Sequence, residues 1–163
     1  MTSFIGPLPF HGRFATAAMG VFWDIQECGM NEFWDIPPGE RNAAVVVQKI
    51  RKTISDSGHR GPLFISAYGD MTPHDFSSSG IKTTHFFPEE KYAREQRMVE
   101  DIKSWSAENP KPSSFMLIAG DVVSNDILRA VRLLKIRKKF KLMYIHPHHS
   151  EPEVLVASTS GRA

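Results

Sequence analysis

Two apolar segments of this chain each end in an aspartate. Asp24 follows the run 20–23, and Asp121 follows the run 115–120. Short apolar runs of this kind, separated by helical patterns, are typical of buried parallel strands. Functional groups in open α/β sheets lie beyond the carboxyl ends of the strands. The two carboxylates can therefore meet in space, and neighbouring carboxylates usually share a divalent cation or a proton. The pattern predicts a metal-dependent hydrolase.

A third carboxylate, Glu95, lies on a predicted helix. Spacings of three and seven residues place it on the same helix face as Met98 and Ile102. This apolar face would pack on the sheet, and Glu95 lies near the helix start, which follows the carboxyl end of a strand. We therefore expect Glu95 to join Asp24 and Asp121 at the sheet edge. The alternative is structural: strand-ending aspartates often cap loops, and Glu95 could be a surface residue at the margin of the apolar stripe.

The rest of the chain alternates between strand and helix patterns. Strands are expected at residues 21–23, 63–68, 81–87, 115–119 and 140–145. Helices are expected after Asn42 as N-cap, from Pro88 to about Glu108, and after Ser124 or its neighbours. This alternation predicts an α/β fold with a mostly parallel sheet that is covered on both faces.

The composition is typical of one globular domain. The chain has 163 residues, 41% of them hydrophobic and 23% charged, with a formal net charge of +2. Its one cysteine, Cys28, excludes an internal disulfide or a cysteine-rich zinc site. A reducing, intracellular compartment is therefore expected, with the cytoplasm favoured and organelle targeting as the alternative. No run is long enough to span a membrane. We expect an N-terminal arm over residues 1–19, a domain over 20–157 and a flexible tail over 158–163.

Several segments together resemble the NYN domain, a PIN-like nuclease fold, and in particular its limkain-like branch found in plants. In chain order they are VFWDI at 21–25, GPLFISAYGD at 61–70, Trp105, ENPKP at 108–112 and MLIAGD at 116–121. The order and spacing of these segments carry the resemblance, which covers residues 20–157. It implies a three-layer α/β/α PIN-like fold with a mostly parallel central sheet.

The resemblance also implies a metal-dependent endonuclease that hydrolyses phosphodiester bonds, with single-stranded RNA as the expected substrate. The family's acids fall on Asp24, Glu95 and Asp121. Such oxygen ligands suit Mg²⁺ or Mn²⁺. Many relatives carry a further aspartate two residues after Asp121, where this chain has Val123. Asp126 is a candidate substitute as a metal ligand, or it complements the helix dipole.

Other polar residues are candidates for supporting roles. Asp70 also ends a strand and is expected to orient a water molecule or a loop. The candidate contacts to substrate phosphates are Lys91, Arg94, Arg129 and Arg132. For the last two, an ordinary solvated helix face is an equally good interpretation.

Two other functions stay open at this point. Because Val123 replaces an acid, the domain could be catalytically weakened and bind RNA or a protein partner without cleavage. A nuclease acting on DNA is also compatible, since catalytic carboxylates act on phosphates and do not read the 2′-hydroxyl. Nucleic acid is the expected partner in the leading interpretation, with RNA favoured over DNA and no membrane involved.

Overall fold

The computed structural model describes residues 12–30, 33, 36–109, 113–119, 125–137 and 140–145. In chain order the elements are α1 (Arg13–Thr16), β1 (Ala18–Asp24), α2 (Ala43–Asp56), β2 (Leu63–Gly69), β3 (Lys82–His85), α3 (Lys91–Glu108), β4 (Ser113–Ile118), α4 (Asn125–Arg137) and β5 (Phe140–Ile145). A short 3₁₀ turn, Pro38–Glu40, precedes α2.

The strands form one five-stranded sheet with the order β3-β2-β1-β4-β5. Every pairing between neighbours is parallel. β1 is the central strand, and its last residue, Asp24, lies opposite Tyr68 of β2. The predicted α/β class and parallel sheet are thus confirmed, and Asp24 lies at the middle of the sheet's carboxyl edge.

Alternating side chains of β1 pack into two separate cores. Val21 and Trp23 belong to the core that includes Ile50 of α2, whereas Phe22 packs with Ile102 of α3 in the other core. Because helices cover both faces of the sheet, the three-layer arrangement is confirmed.

The helix boundaries follow local hydrogen bonds. The Oδ1 atom of Asn42 accepts a hydrogen bond from the Val45 N–H at 3.0 Å, which confirms the predicted N-cap of α2. The predicted start of the next helix at Pro88 is wrong, because α3 begins at Lys91. A turn lies before it: the Phe87 N–H donates to Oε1 of Glu90 at 2.7 Å, and the Glu90 N–H donates to the Phe87 carbonyl at 2.9 Å.

Several predictions concern residues outside the described ranges. These are the first eleven residues of the expected arm, the expected tail, and the positions of Asp121, Val123 and Ser124. In the part of the chain that is described, no helix is both long and apolar enough to cross a membrane.

Candidate active site

Asp24 is held in place by the turn that follows β1. Its Oδ1 atom accepts hydrogen bonds from the backbone N–H groups of Gln26 at 3.0 Å and Glu27 at 3.2 Å. The side chain is only 4% exposed. Since β1 is paired on both sides and the turn donates to the carboxylate, the position and orientation of Asp24 are fixed by the backbone.

α3 places a second buried charge beside this carboxylate. The Nε atom of Arg94 lies 3.1 Å from Oδ1 of Asp24, and its Nη2 atom lies 3.5 Å from Oε2 of Glu27. The Arg94 side chain is 1% exposed. At 3.1 Å the first contact is a close ion pair. Within the described ranges, neither Nε nor Nη1 of Arg94 has a hydrogen-bond partner.

Burial raises the pKa values of two acids of this site, Asp24 and Glu95. Burial raises the pKa of Asp24 above its ordinary 3.8, and Arg94 with the Glu27 N–H lowers it only in part. Partial burial also raises the pKa of Glu95 above 4.5; Asp24 and Glu27 add to this effect, while Lys91 and Arg94 oppose it. Among the residues described here, the acids Asp24, Glu27 and Glu95 outnumber the cations Arg94 and Lys91, which leaves an excess of negative charge at the carboxyl end of β1.

The chemistry of these side chains fits a hard divalent cation. Asp24, Glu27 and Glu95 offer only oxygen donors, and the excess negative charge is what Mg²⁺ or Mn²⁺ would neutralise. Among the residues described, no three potential metal ligands converge into a ready-made cluster. Asp121, the third predicted ligand, lies outside the described residues.

Asp126, the candidate substitute ligand, lies at the same end of α3. Its Oδ2 atom accepts a hydrogen bond from Nε2 of Gln96 at 2.9 Å, and its Oδ1 atom lies 3.4 Å from Nη1 of Arg129. The hydrogen bond ties the first turn of α4 to the residue next to Glu95.

Asp70 organises the loop after β2. Its Oδ1 atom accepts hydrogen bonds from the Thr72 N–H at 3.0 Å and the Thr72 hydroxyl at 2.7 Å. These bonds hold the pKa of Asp70 below its ordinary 3.8. The Asp70 N–H donates to Oε1 of Gln26 at 3.2 Å, which connects this loop to the turn beyond Asp24.

The predicted phosphate-contacting residues divide into two groups. Lys91, Arg129 and Arg132 are exposed, whereas Arg94 is buried against Asp24. The exposed Arg129 lines a groove of about 210 Å³ between α3 and α4. The other residues lining it are Tyr92, Gln96, Val99, Lys103, Asp126 and Ala130.

Sequence reasoning missed two residues at this end of the sheet. Glu27 contacts Arg94, and its position three residues after Asp24 was the available signal. Tyr92 is 74% exposed, and its position off the apolar stripe of α3 could have identified it as a surface aromatic.

Comparisons with known proteins identify the family. A model of the NYN domain matches residues 18–161. Similar curated proteins include the Meiosis regulator and mRNA stability factor 1 of Gallus gallus, 25% identical over 144 residues, and that of Bos taurus, 24% identical over 144 residues. Each alignment covers 84% of this chain but 8% of the relative, so the chain spans less than a tenth of these proteins. This chain therefore belongs to the NYN domain family, within the PIN-like nuclease superfamily, as its sequence motifs implied.

Proposed function

We propose that this domain is a metal-dependent endonuclease that hydrolyses phosphodiester bonds of single-stranded RNA. The observation that carries the proposal is the buried carboxylate of Asp24 at the carboxyl end of β1, which Arg94 neutralises only in part and which acts electrostatically on Glu95. Membership of a nuclease superfamily supports the reaction class. The name of the similar proteins, an mRNA stability factor, favours RNA over DNA.

Asp24 and Glu95 would hold Mg²⁺ or Mn²⁺, with Asp121 as a third ligand and Asp126 as a candidate fourth. The ion, when bound, lowers the pKa of a water molecule and offsets charge on the phosphate. The N–H donors of the turn and Nε of Arg94 all meet Oδ1 of Asp24. Oδ2 is therefore the oxygen of Asp24 that would face the ion, and the turn keeps the carboxylate in position.

Exposed cations and one aromatic ring would bind the substrate. Lys91 and Arg129 lie in the amino-terminal halves of α3 and α4, and Arg132 lies just past the middle of α4; these exposed side chains would contact phosphates. Tyr92 lines the same groove as Arg129, and its exposed ring can stack on an unpaired base. Stacking requires bases that are not already paired, so this surface favours single strands.

A cleavage assay tests the proposal. Labelled single-stranded RNA and DNA of equal sequence are incubated with Mg²⁺, Mn²⁺ or a chelator, using the wild-type protein, Asp24→Asn and a control, Asp56→Asn. Asp56 pairs with Lys52 on the surface at the end of α2, so its variant should cleave normally. We expect cleavage of RNA that needs the metal and Asp24. Metal-independent cleavage, or equal cleavage by Asp24→Asn, would overturn the proposal.

A second function, RNA binding without cleavage, is favoured by a different observation. Arg94 already neutralises part of the charge of Asp24, and Val123 stands where the family resemblance implies a further acid. If the wild-type protein binds RNA in the same assay but cleaves none of it with either metal, this alternative is supported and the first is rejected.

A further inference from the structure

Among the described residues, the contacts of the buried Arg94 guanidinium are mainly ionic. A buried guanidinium usually has partners for most of its five N–H donors. Here Nε and Nη1 have none among the described residues, although the residue is 0% exposed. The groups that compensate its charge are the carboxylates of Asp24 and Glu27, at 3.1 Å and 3.5 Å.

The same position conflicts with a divalent ion on Asp24. Mg²⁺ binds carboxylate oxygens at about 2.1 Å. An ion bound to Asp24 would thus lie within a few ångströms of the Arg94 guanidinium, which is 3.1 Å from Oδ1. Like charges at such separations repel strongly where water is excluded. Ion and guanidinium therefore cannot both interact fully with this carboxylate.

We propose that Arg94 is a built-in cation that neutralises Asp24 in the metal-free protein and competes with a divalent ion for that carboxylate. The inference rests on the proposed function, because it assumes that the ion binds at Asp24. Arg94 acts through Asp24 and is a positioning residue. In the metal-free protein its charge compensates that of the buried Asp24 carboxylate, so the domain can fold without the ion. The same charge means that the ion occupies Asp24 only at a high concentration. Glu27, 36% exposed and already 3.5 Å from Nη2, is the acid toward which the guanidinium can withdraw.

Calorimetric titration with Mn²⁺ in the absence of RNA tests this inference. Arg94→Met removes the charge while keeping a flexible apolar side chain, and Arg94→Lys keeps the charge. We expect Arg94→Met to bind Mn²⁺ at least about tenfold more tightly than the wild type, and Arg94→Lys to stay close to it. Adding Asp24→Asn to Arg94→Met should remove the gain.

Several results would overturn the inference. One is a folded Arg94→Met that binds Mn²⁺ no more tightly than the wild type, and another is the absence of Mn²⁺ binding in both proteins. If Arg94→Met is unfolded without metal, Mn²⁺ should restore its circular dichroism spectrum, because the ion replaces the missing positive charge. A variant that stays unfolded with Mn²⁺ also overturns it. Since no RNA is present, the comparison of Mn²⁺ affinities is independent of whether the wild-type protein cleaves RNA, whereas the absence of Mn²⁺ binding in both proteins would overturn the proposed function as well.

Discussion

The Nε atom of Arg94 lies 3.1 Å from Oδ1 of Asp24, and both side chains are almost fully buried. The carboxylate at the end of the central strand therefore has its own counter-ion. Burial nevertheless raises the pKa of Asp24, because the guanidinium offsets only part of the cost of removing the carboxylate from water.

The coupling between these two residues should be measurable in the metal-free protein. Asp24→Asn leaves a buried guanidinium without its closest partner, and Arg94→Met leaves a buried carboxylate unpaired, so each should destabilise the fold by about 3 kcal/mol. The double variant removes both charges and should be more stable than the sum of the single effects implies, by at least about 1 kcal/mol. Urea unfolding without divalent ions measures the free energy of unfolding of the wild type, the two single variants and the double variant, which together form a double-mutant cycle. Additive effects would contradict the direct interaction.

A second prediction concerns the contact between β2 and α3. The buried Tyr68 hydroxyl donates to Oδ2 of Asp101 at 2.8 Å. Tyr68→Phe should lower the free energy of unfolding by about 1–2 kcal/mol, because it removes a buried hydrogen bond to a charged acceptor. Arg97 also contacts Asp101, at 3.1 Å, and keeps its charge compensated. Tyr92→Phe, at an exposed position, is the matched control and should leave the free energy of unfolding unchanged. If the two variants change it equally, the stabilising hydrogen bond from Tyr68 to Asp101 is refuted.

A third prediction concerns Gly61, which precedes β2. A Cβ atom at this position would clash with the backbone carbonyls of Thr16 and Ala17, neither of which is a flexible side-chain end. Gly61→Ala should therefore destabilise the protein by about 1–3 kcal/mol. At Gly39 an added Cβ meets nothing within 4 Å, so Gly39→Ala is the control. Thermal unfolding of both variants checks the difference, and a fully stable Gly61→Ala would contradict this packing.

Groups whose pKa is lowered in the folded protein should reduce stability in two stages as pH decreases, while acids with raised pKa values act in the opposite direction. Partial burial lowers the pKa of His74 below 6.5, with Asp70 opposing the shift. The unfolded chain thus binds this proton more readily than the folded one, and stability should fall as pH decreases below 6.5. Hydrogen bonds to Thr72 and Ser77 hold the pKa values of Asp70 and Asp75 below 3.8, so a further loss should begin below that pH.

The contribution of His74 to the first stage can be measured by comparing the urea midpoints of the wild type and His74→Gln between about pH 7 and pH 5. The variant should lose less stability over this interval because it has no imidazole to protonate. Parallel curves for the two proteins would show that His74 does not contribute.

The sequence predicted the strands and helices that position this site better than it predicted the charge interactions within the site. The apolar run before Asp24 identified the central strand, and Asn42 identified the start of α2, because both signals depend on neighbours in the chain. The start of α3 was misplaced because Glu90 closes a turn at Phe87, a side-chain contact that the acidic pattern does not specify.

The burial of Arg94 was beyond sequence reasoning for a physical reason. Arg94 and Glu95 both fall within spacing of Met98 and Ile102, so periodicity cannot decide which one turns inward. Arginine is mostly exposed unless it is paired. Its partners, Asp24 and Glu27, are distant in sequence and come together with it only when α3 packs beside β1.

We propose that the carboxylates at the end of β1 support metal-dependent cleavage of RNA. The most direct test is the rate of single-stranded RNA cleavage with Mn²⁺ by wild type, Asp24→Asn and Glu95→Gln, at equal concentrations of folded protein. We predict that each variant loses at least about a hundredfold in rate, since the ion's contribution to the reaction is worth several kcal/mol. Wild-type rates in either folded variant would contradict the account.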